Sequence, residues 1–260
     1  MSDPRLTPDP ALIDQRNAAH VTQPVTDLCR APNGPRDRQM LYGDAVTLLH
    51  KAAGWAYVQA GKDGYCGFVR SDALGSIDTP THRVTAPATH AYADADFKAS
   101  DVCGLSLGSR VPVIAQSGRF SQTPLGYIPT VHLSGLHQRF DDPADVAQLF
   151  LGTPYLWGGN SRWGIDCSGL VQAALLACGI PCPGDSDMQM ALGDDATDGY
   201  KRNDLMFWKG HVAMVWDKTL LIHATAFQMA CVFEPIDAAI KRIQEQGDGP
   251  VTAHRRISRT

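Results

Sequence analysis

The chain has 260 residues, 44% hydrophobic and 19% charged, with a formal net charge of -4 and no run of lysines and arginines. That is apolar material for more than one core, and it offers no basic surface for a phosphate backbone or an anionic membrane. The apolar stretches, such as Leu170 to Ala177, have the length of core helices and fall short of a bilayer span. Neither nucleic acid nor membrane is expected as a partner.

The start, MSDPRLTPDPALIDQRN, puts prolines and acids where a secretory leader needs a basic end and an apolar stretch, so a cytoplasmic location is expected. Seven cysteines, at 29, 66, 103, 167, 178, 182 and 231, follow no paired spacing and read as thiols of a reducing compartment.

Residues 1–20 read as an extension. From 21 to 79, short β-prone runs (AVTLLH, GWAYVQA, GYCGFVR) alternate with Gly, Asp, Pro and Asn, the punctuation of a small antiparallel barrel. Residues 80–137 repeat that order. RVTAPATHAY matches PVTDLCRAP, and PLGYIPTVHL echoes DGYCGFVRSDAL, so two copies of one β module are predicted.

A polar hinge, QRFDDP, opens a third region at 138–260. ADVAQLFLG has helical apolar spacing, with Gly152 as a stop. In CSGLVQAALLACG, Val171, Ala174, Leu175 and Cys178 form one stripe, Asp166 can cap the start and Gly179 the end, which predicts a helix with Cys167 in its first turn. A loop rich in Asp, Gly and Pro follows. DLMFW, GHVAMVW and LLIHATA then read as antiparallel strands, PIDAAIKRIQEQG as a helix and VTAHRRIS as one more strand. The region is α+β, a helix on a sheet.

A thiol at a helix N-terminus meets unsatisfied N–H groups and the positive end of the dipole, which favour thiolate and can also hold an oxyanion. Cys167 is thus the candidate nucleophile. Its base would be His211, at the start of one strand, with His223 in the next. For both imidazoles to share a face, the loop between paired strand ends must hold an odd number of residues, such as Asp217 to Thr219. Zinc ligation by Cys167, His211 and His223 lacks a close-spaced ligand pair and a fourth donor. The catalytic scheme requires no metal or organic cofactor.

PYLWGGNSRWGIDCSGLVQAALLACGIPCP, followed by GHVAMV and LIHA, resembles the NlpC/P60 family of papain-like cell-wall peptidases. The repeated β modules before it resemble the bacterial SH3-like domains of γ-D-glutamyl-L-diamino acid endopeptidases that recycle muropeptides. The resemblance implies a papain-like domain preceded by two small SH3-like barrels, with Cys167 as nucleophile, His211 as base and His223 orienting it. It further implies Tyr155 as an oxyanion donor, with Trp157 beside it on the substrate side. Asp185, in a Pro-x-Asp-Ser segment, would anchor the free amine of an N-terminal L-alanine; Ser168, next to the nucleophile, would contact the same substrate. The common pattern has a basic residue where Gly184 stands. A tyrosine of the first SH3-like module would close the pocket, Tyr65 by pattern, with Tyr57 as the alternative.

The expected activity is hydrolysis of the bond between γ-D-glutamate and a diamino acid in short recycled peptides. Two other readings stay open: an amidase or acyltransferase of the same superfamily, and a cell-wall or protein-binding chain with an inactive peptidase domain. The sequence leaves the oligomeric state open.

Overall fold

A computed structural model describes residues 3–257. The chain divides into two compact units, Met1–Gln138 and Arg139–Thr260.

The first unit is built of strands. Seven pair antiparallel in the order Arg36–Leu41, Val25–Cys29, Cys66–Arg70, Trp55–Ala60, Ala45–Ala52, Asn17–Val21, Leu74–Gly75. The first of them in the chain begins at Asn17, inside the stretch expected to be an extension, because Asn17 to His20 pair with Ala45 to Leu48. The second half of the unit forms a five-stranded and a three-stranded sheet. The sequence echo has a structural counterpart: Cys66–Arg70, a 3-10 turn at Ser71–Ala73 and Leu74–Gly75 recur as Gly126–Pro129, Thr130–His132 and Leu133–Gly135. Tyr42, from the first half, is buried among Val84, Ala91, Leu105, Val111 and Ile128 of the second, so the halves share a core. Burial of each of these valine, leucine and isoleucine side chains contributes about 1.5–3 kcal/mol.

The second unit carries a six-stranded antiparallel sheet in the order Asp194–Asp195, Ala253–Arg256, Leu205–Trp208, His211–Val215, Leu220–Thr225, Ala230–Pro235. The three central strands are the expected ones. The last strand of the expected VTAHRRIS run spans Ala253–Arg256, and Ser258 lies outside the described residues. The edge strand Ala230–Pro235 was not anticipated, nor was the short helix Ser186–Gln189 (α3) inside the loop after Cys182.

Helix α1, Pro143–Gln148, starts where Asp142 accepts a hydrogen bond from the Ala144 N–H, with proline at its first position. Helix α2, Cys167–Ala177, is buried along most of its length and lies against the His211–Val215 and Leu220–Thr225 strands. Helix α4, Ile236–Glu245, presents Ile236, Ala239 and Ile243 at helical spacing to a core of Met206, Trp208, Ala213, Val215 and Leu221. Among the described residues no helix is long and apolar enough to cross a membrane.

Candidate active site

The N-terminus of α2 is held by one carboxylate. Asp166 Oδ1 accepts from the Gly169 N–H at 2.6 Å and the Ser168 hydroxyl at 3.2 Å, while Oδ2 accepts from the Gly158 N–H at 2.8 Å. One side chain therefore caps the helix and ties the Tyr155–Gly159 turn to it. The turn approaches so closely that a Cβ on Gly169 would stand 2.4 Å from the Gly159 carbonyl oxygen, and one on Gly159 2.5 Å from that of Gly164. Backbone cannot yield there, which is why glycine occupies both positions.

Cys167 opens this helix and is 6% exposed. Burial pushes its thiol up to about 12 and the Asp166 charge adds to that, while the backbone N–H groups of Val212, Ser168 and Cys167 itself pull the other way. The helix terminus acts in the expected direction, but desolvation outweighs it. The resting group is a neutral thiol. Val212 directly follows His211, so the same backbone contact brings the sulfur to the start of the histidine strand.

The register of the two histidine strands pairs Met214 with Ile222 and Val215 with Leu221, and the Trp216 N–H donates to the Leu220 carbonyl at 2.8 Å, leaving Asp217, Lys218 and Thr219 in the turn. Asp217 closes it, its Oδ1 accepting from the backbone N–H groups of Thr219 at 2.7 Å and Leu220 at 2.9 Å. An odd loop puts both imidazoles on one face. His211 Nε2 lies 2.9 Å from His223 Nδ1, so Nδ1 is the nitrogen of His211 outside that bond. His211 is partly accessible at its strand end; His223 is fully buried. Burial, with the charges of His223 and Arg242, holds His211 down to about 3, and burial also lowers His223. Both rings are neutral at rest.

Tyr155 is held beside this pair by its backbone N–H, which donates to the Met229 carbonyl at 2.9 Å. Burial raises its hydroxyl well above the usual phenol range, and the charges of Cys167 and Asp166 add to the shift. It stays a donor. A cavity of about 550 Å³ opens here, its wall including Tyr155, Lys209, His211, Thr225, Phe227 and Arg242.

The structure thus brings Cys167, His211, His223 and Tyr155 together. Trp157 is 67% exposed at the lip of the Gly158–Gly159 turn. Asp185 precedes α3 and makes no capping bond to it. Its segment is fastened to α2 by Gln189, whose Nε2 donates to the Ser168 and Pro183 carbonyls at 3.0 Å each, and by Gln172, which donates to the Cys182 carbonyl at 3.1 Å. Ser168 differs from expectation: its hydroxyl is buried and spent on Asp166. Tyr65 belongs to the first unit, is 3% exposed and has the Arg38 guanidinium 5.8 Å from its ring centre. Tyr57 is 6% exposed, its hydroxyl accepting from the Asp9 N–H at 3.0 Å. Both tyrosines are packed groups here.

Sequence reasoning missed Gln172, Gln189 and Glu234. Gln172 and Gln189 are polar positions on otherwise apolar or loop segments; their only sequence signal is a buried amide beside a loop whose carbonyls need donors. Glu234 is the penultimate residue of the unanticipated strand, and His223 Nε2 lies 3.0 Å from its Oε2, although the ring N–H is not squarely aimed at it.

A cysteine at a helix N-terminus beside two linked imidazoles on a sheet defines a thiol hydrolase. Residues 152–240 match the NlpC/P60 family, and residues 28–74 match the bacterial dipeptidyl-peptidase Sh3 domain. The chain therefore carries an NlpC/P60 cysteine-peptidase domain together with a bacterial SH3 domain, and is homologous to γ-D-glutamyl-L-lysine dipeptidyl-peptidases. It is 28% identical to dipeptidyl-peptidase 6 of Lysinibacillus sphaericus, over 72% of this chain and 79% of that one. It is also 28% identical to the γ-D-glutamyl-L-lysine dipeptidyl-peptidase of Bacillus subtilis (strain 168), over 65% of this chain and 63% of the relative. The crystal structure of an NlpC/P60 family protein from Bacillus cereus superposes with a TM-score of 0.77 at 21% identity, covering 92% of this chain and 99% of that one.

Proposed function

We propose that the chain is a cytoplasmic cysteine endopeptidase that hydrolyses the bond between γ-D-glutamate and a diamino acid in short cell-wall peptides bearing a free N-terminal L-alanine. The relatives' names supply the bond type, and the two halves of the first unit are read as paired SH3-like modules. The observation that carries the catalytic part is the 2.9 Å His211–His223 contact, which leaves Nδ1 of His211 as the nitrogen able to take the thiol proton.

As sulfur attacks the γ-carbonyl of D-glutamate, the Cys167 proton passes to His211 Nδ1, and the oxyanion is met by N–H groups at the start of α2 and by the Tyr155 hydroxyl. His211 then gives that proton to the leaving amine as the C–N bond breaks, leaving a thioester on Cys167. Water, deprotonated by His211, adds to the thioester; the acid is released and the proton returns to sulfur. Asp185 anchors the substrate's α-amine, Trp157 covers the acyl side, and the cavity beside His211 receives the leaving residue.

The test is mass-spectrometric cleavage of L-Ala-γ-D-Glu-diaminopimelate beside its N-acetylated form, by the native chain and by Cys167→Ala. Cleavage of the free peptide alone, dependent on Cys167, supports the proposal. Equal cleavage of both forms removes the amine anchor, and cleavage of neither moves the chain to amide or acyl transfer on other substrates.

A further inference from the structure

Behind His223 stands an ion pair that the catalytic scheme above does not use. Arg242, on α4, grips Glu234 with two prongs, Nε to Oε1 at 2.9 Å and Nη2 to Oε2 at 2.7 Å. Arg242 is itself fixed, with its Nη1 donating to Gln246 Oε1 at 2.8 Å and its guanidinium 4.6 Å from the Phe227 ring centre. Glu234 is 8% exposed, and its Oε2 is 3.0 Å from Nε2 of the fully buried His223.

We propose that Glu234, clamped by Arg242, is a positioning residue that sets which nitrogen of His211 carries the proton, acting through His223. The carboxylate's position sets the sequence. An ionised carboxylate only accepts, so with Glu234 Oε2 3.0 Å from it, a little off the ring N–H axis, Nε2 is the nitrogen of His223 on which hydrogen is favoured. Neutral His223 then has a lone pair on Nδ1, and His211 Nε2 must donate to it across the 2.9 Å contact. Neutral His211 is left with its lone pair on Nδ1, the form that can take a proton from sulfur. Arg242 keeps the carboxylate ionised, holding Glu234 down to about 2 despite its burial. Helix α4, which carries none of the proposed catalytic residues, is thereby part of the device that selects the working tautomer.

This rests on His211 being the base, but the tautomer can be read without any substrate, so its failure is distinct from failure of the proposed peptide specificity. In Glu234→Met no acceptor faces His223 Nε2, whereas in Glu234→Gln the amide oxygen at the Oε2 position still accepts from both Arg242 Nη2 and His223 Nε2. In the methionine variant the relay loses its anchor, and His211 populates the form that carries hydrogen on Nδ1. The experiment records long-range proton–nitrogen NMR spectra of the imidazoles in the full chain, native, Glu234→Met and Glu234→Gln, with kcat and KM for each. The expected result is an unprotonated Nδ1 on His211 in the native chain and in Glu234→Gln, a protonated fraction in Glu234→Met, and kcat of the methionine variant lowered at least about 10²-fold with KM changed little. Glu234→Gln, which keeps the acceptor without the charge, should recover at least about tenfold of that loss, which a merely structural role would not do. A protonated Nδ1 on native His211 overturns the proposal even if neither variant folds. So does a Glu234→Gln variant no better than Glu234→Met.

Discussion

His211 and His223 are bonded to each other, Nε2 to Nδ1 at 2.9 Å, because a turn of odd length, Asp217 to Thr219, separates their strands. Removing Lys218 shortens that turn to two residues and sends His223 to the opposite face. Turnover should fall at least about 10²-fold, measured on any peptide the native chain cleaves, while far-ultraviolet circular dichroism stays near native.

Asp166 joins three donors, so Asp166→Ala should destabilise the second unit by about 1–2 kcal/mol or more. Urea denaturation read by tryptophan fluorescence checks this. A midpoint equal to the native one would mean that the cap contributes nothing.

Gly169→Ala places a methyl group 2.4 Å from the Gly159 carbonyl oxygen, at backbone that cannot move cheaply. The expected cost is about 2–3 kcal/mol, as for an overpacked core. Gly135→Ala, where a Cβ meets nothing within 4 Å, serves as control and should unfold near the native midpoint.

The pH dependence of stability follows from three groups. His211 is held down to about 3 and His223 is lowered by burial, so below the unfolded value near 6.5 the unfolded chain binds protons that the folded one refuses. Stability therefore rises with pH between about 3 and 6.5. Glu234, held down to about 2 chiefly by Arg242 against its burial, adds stability that is present above 4.5 and lost as pH falls toward 2. All three act in one direction. Denaturant midpoints should fall from pH 7 to pH 5 by an amount worth about 1–2 kcal/mol for His211, with His223 adding a further fall in the same direction, and a flat profile over that range would contradict the burial of the pair.

With Cys167 pushed up to about 12 and His211 down to about 3, the resting site holds no thiolate–imidazolium pair. The ultraviolet thiolate band in the native-minus-Cys167→Ala difference spectrum should be absent from pH 5 to pH 8. A band growing in over that range would show a preformed ion pair.

Much of the second unit was legible because its signals are local. Asp166 before an apolar stripe and Gly179 after it mark α2, and strand periodicity states the condition, an odd loop, under which His211 and His223 share a face, a condition the register meets. Cys167's protonation was not legible, since the helix terminus shows in sequence but the desolvation that outweighs it arises only when α2 is packed. Ser168 could not be told from a substrate contact because its partner, Asp166, is a neighbour that sequence had already assigned to the backbone. Glu234 was hidden for another reason. Its strand, ACVFEP, is short and ends in an acid and a proline, and its roles depend on His223 and Arg242, which only the folded sheet and α4 bring to it.

The central claim is that Cys167 carries the acyl group. Acid-quenched turnover of L-Ala-γ-D-Glu-diaminopimelate, digested and analysed by mass spectrometry, should show the peptide containing Cys167 heavier by an L-alanyl-D-glutamyl thioester, and no such adduct in Cys167→Ala. Turnover that persists in Cys167→Ala, or an adduct on another of the seven cysteines, would contradict it.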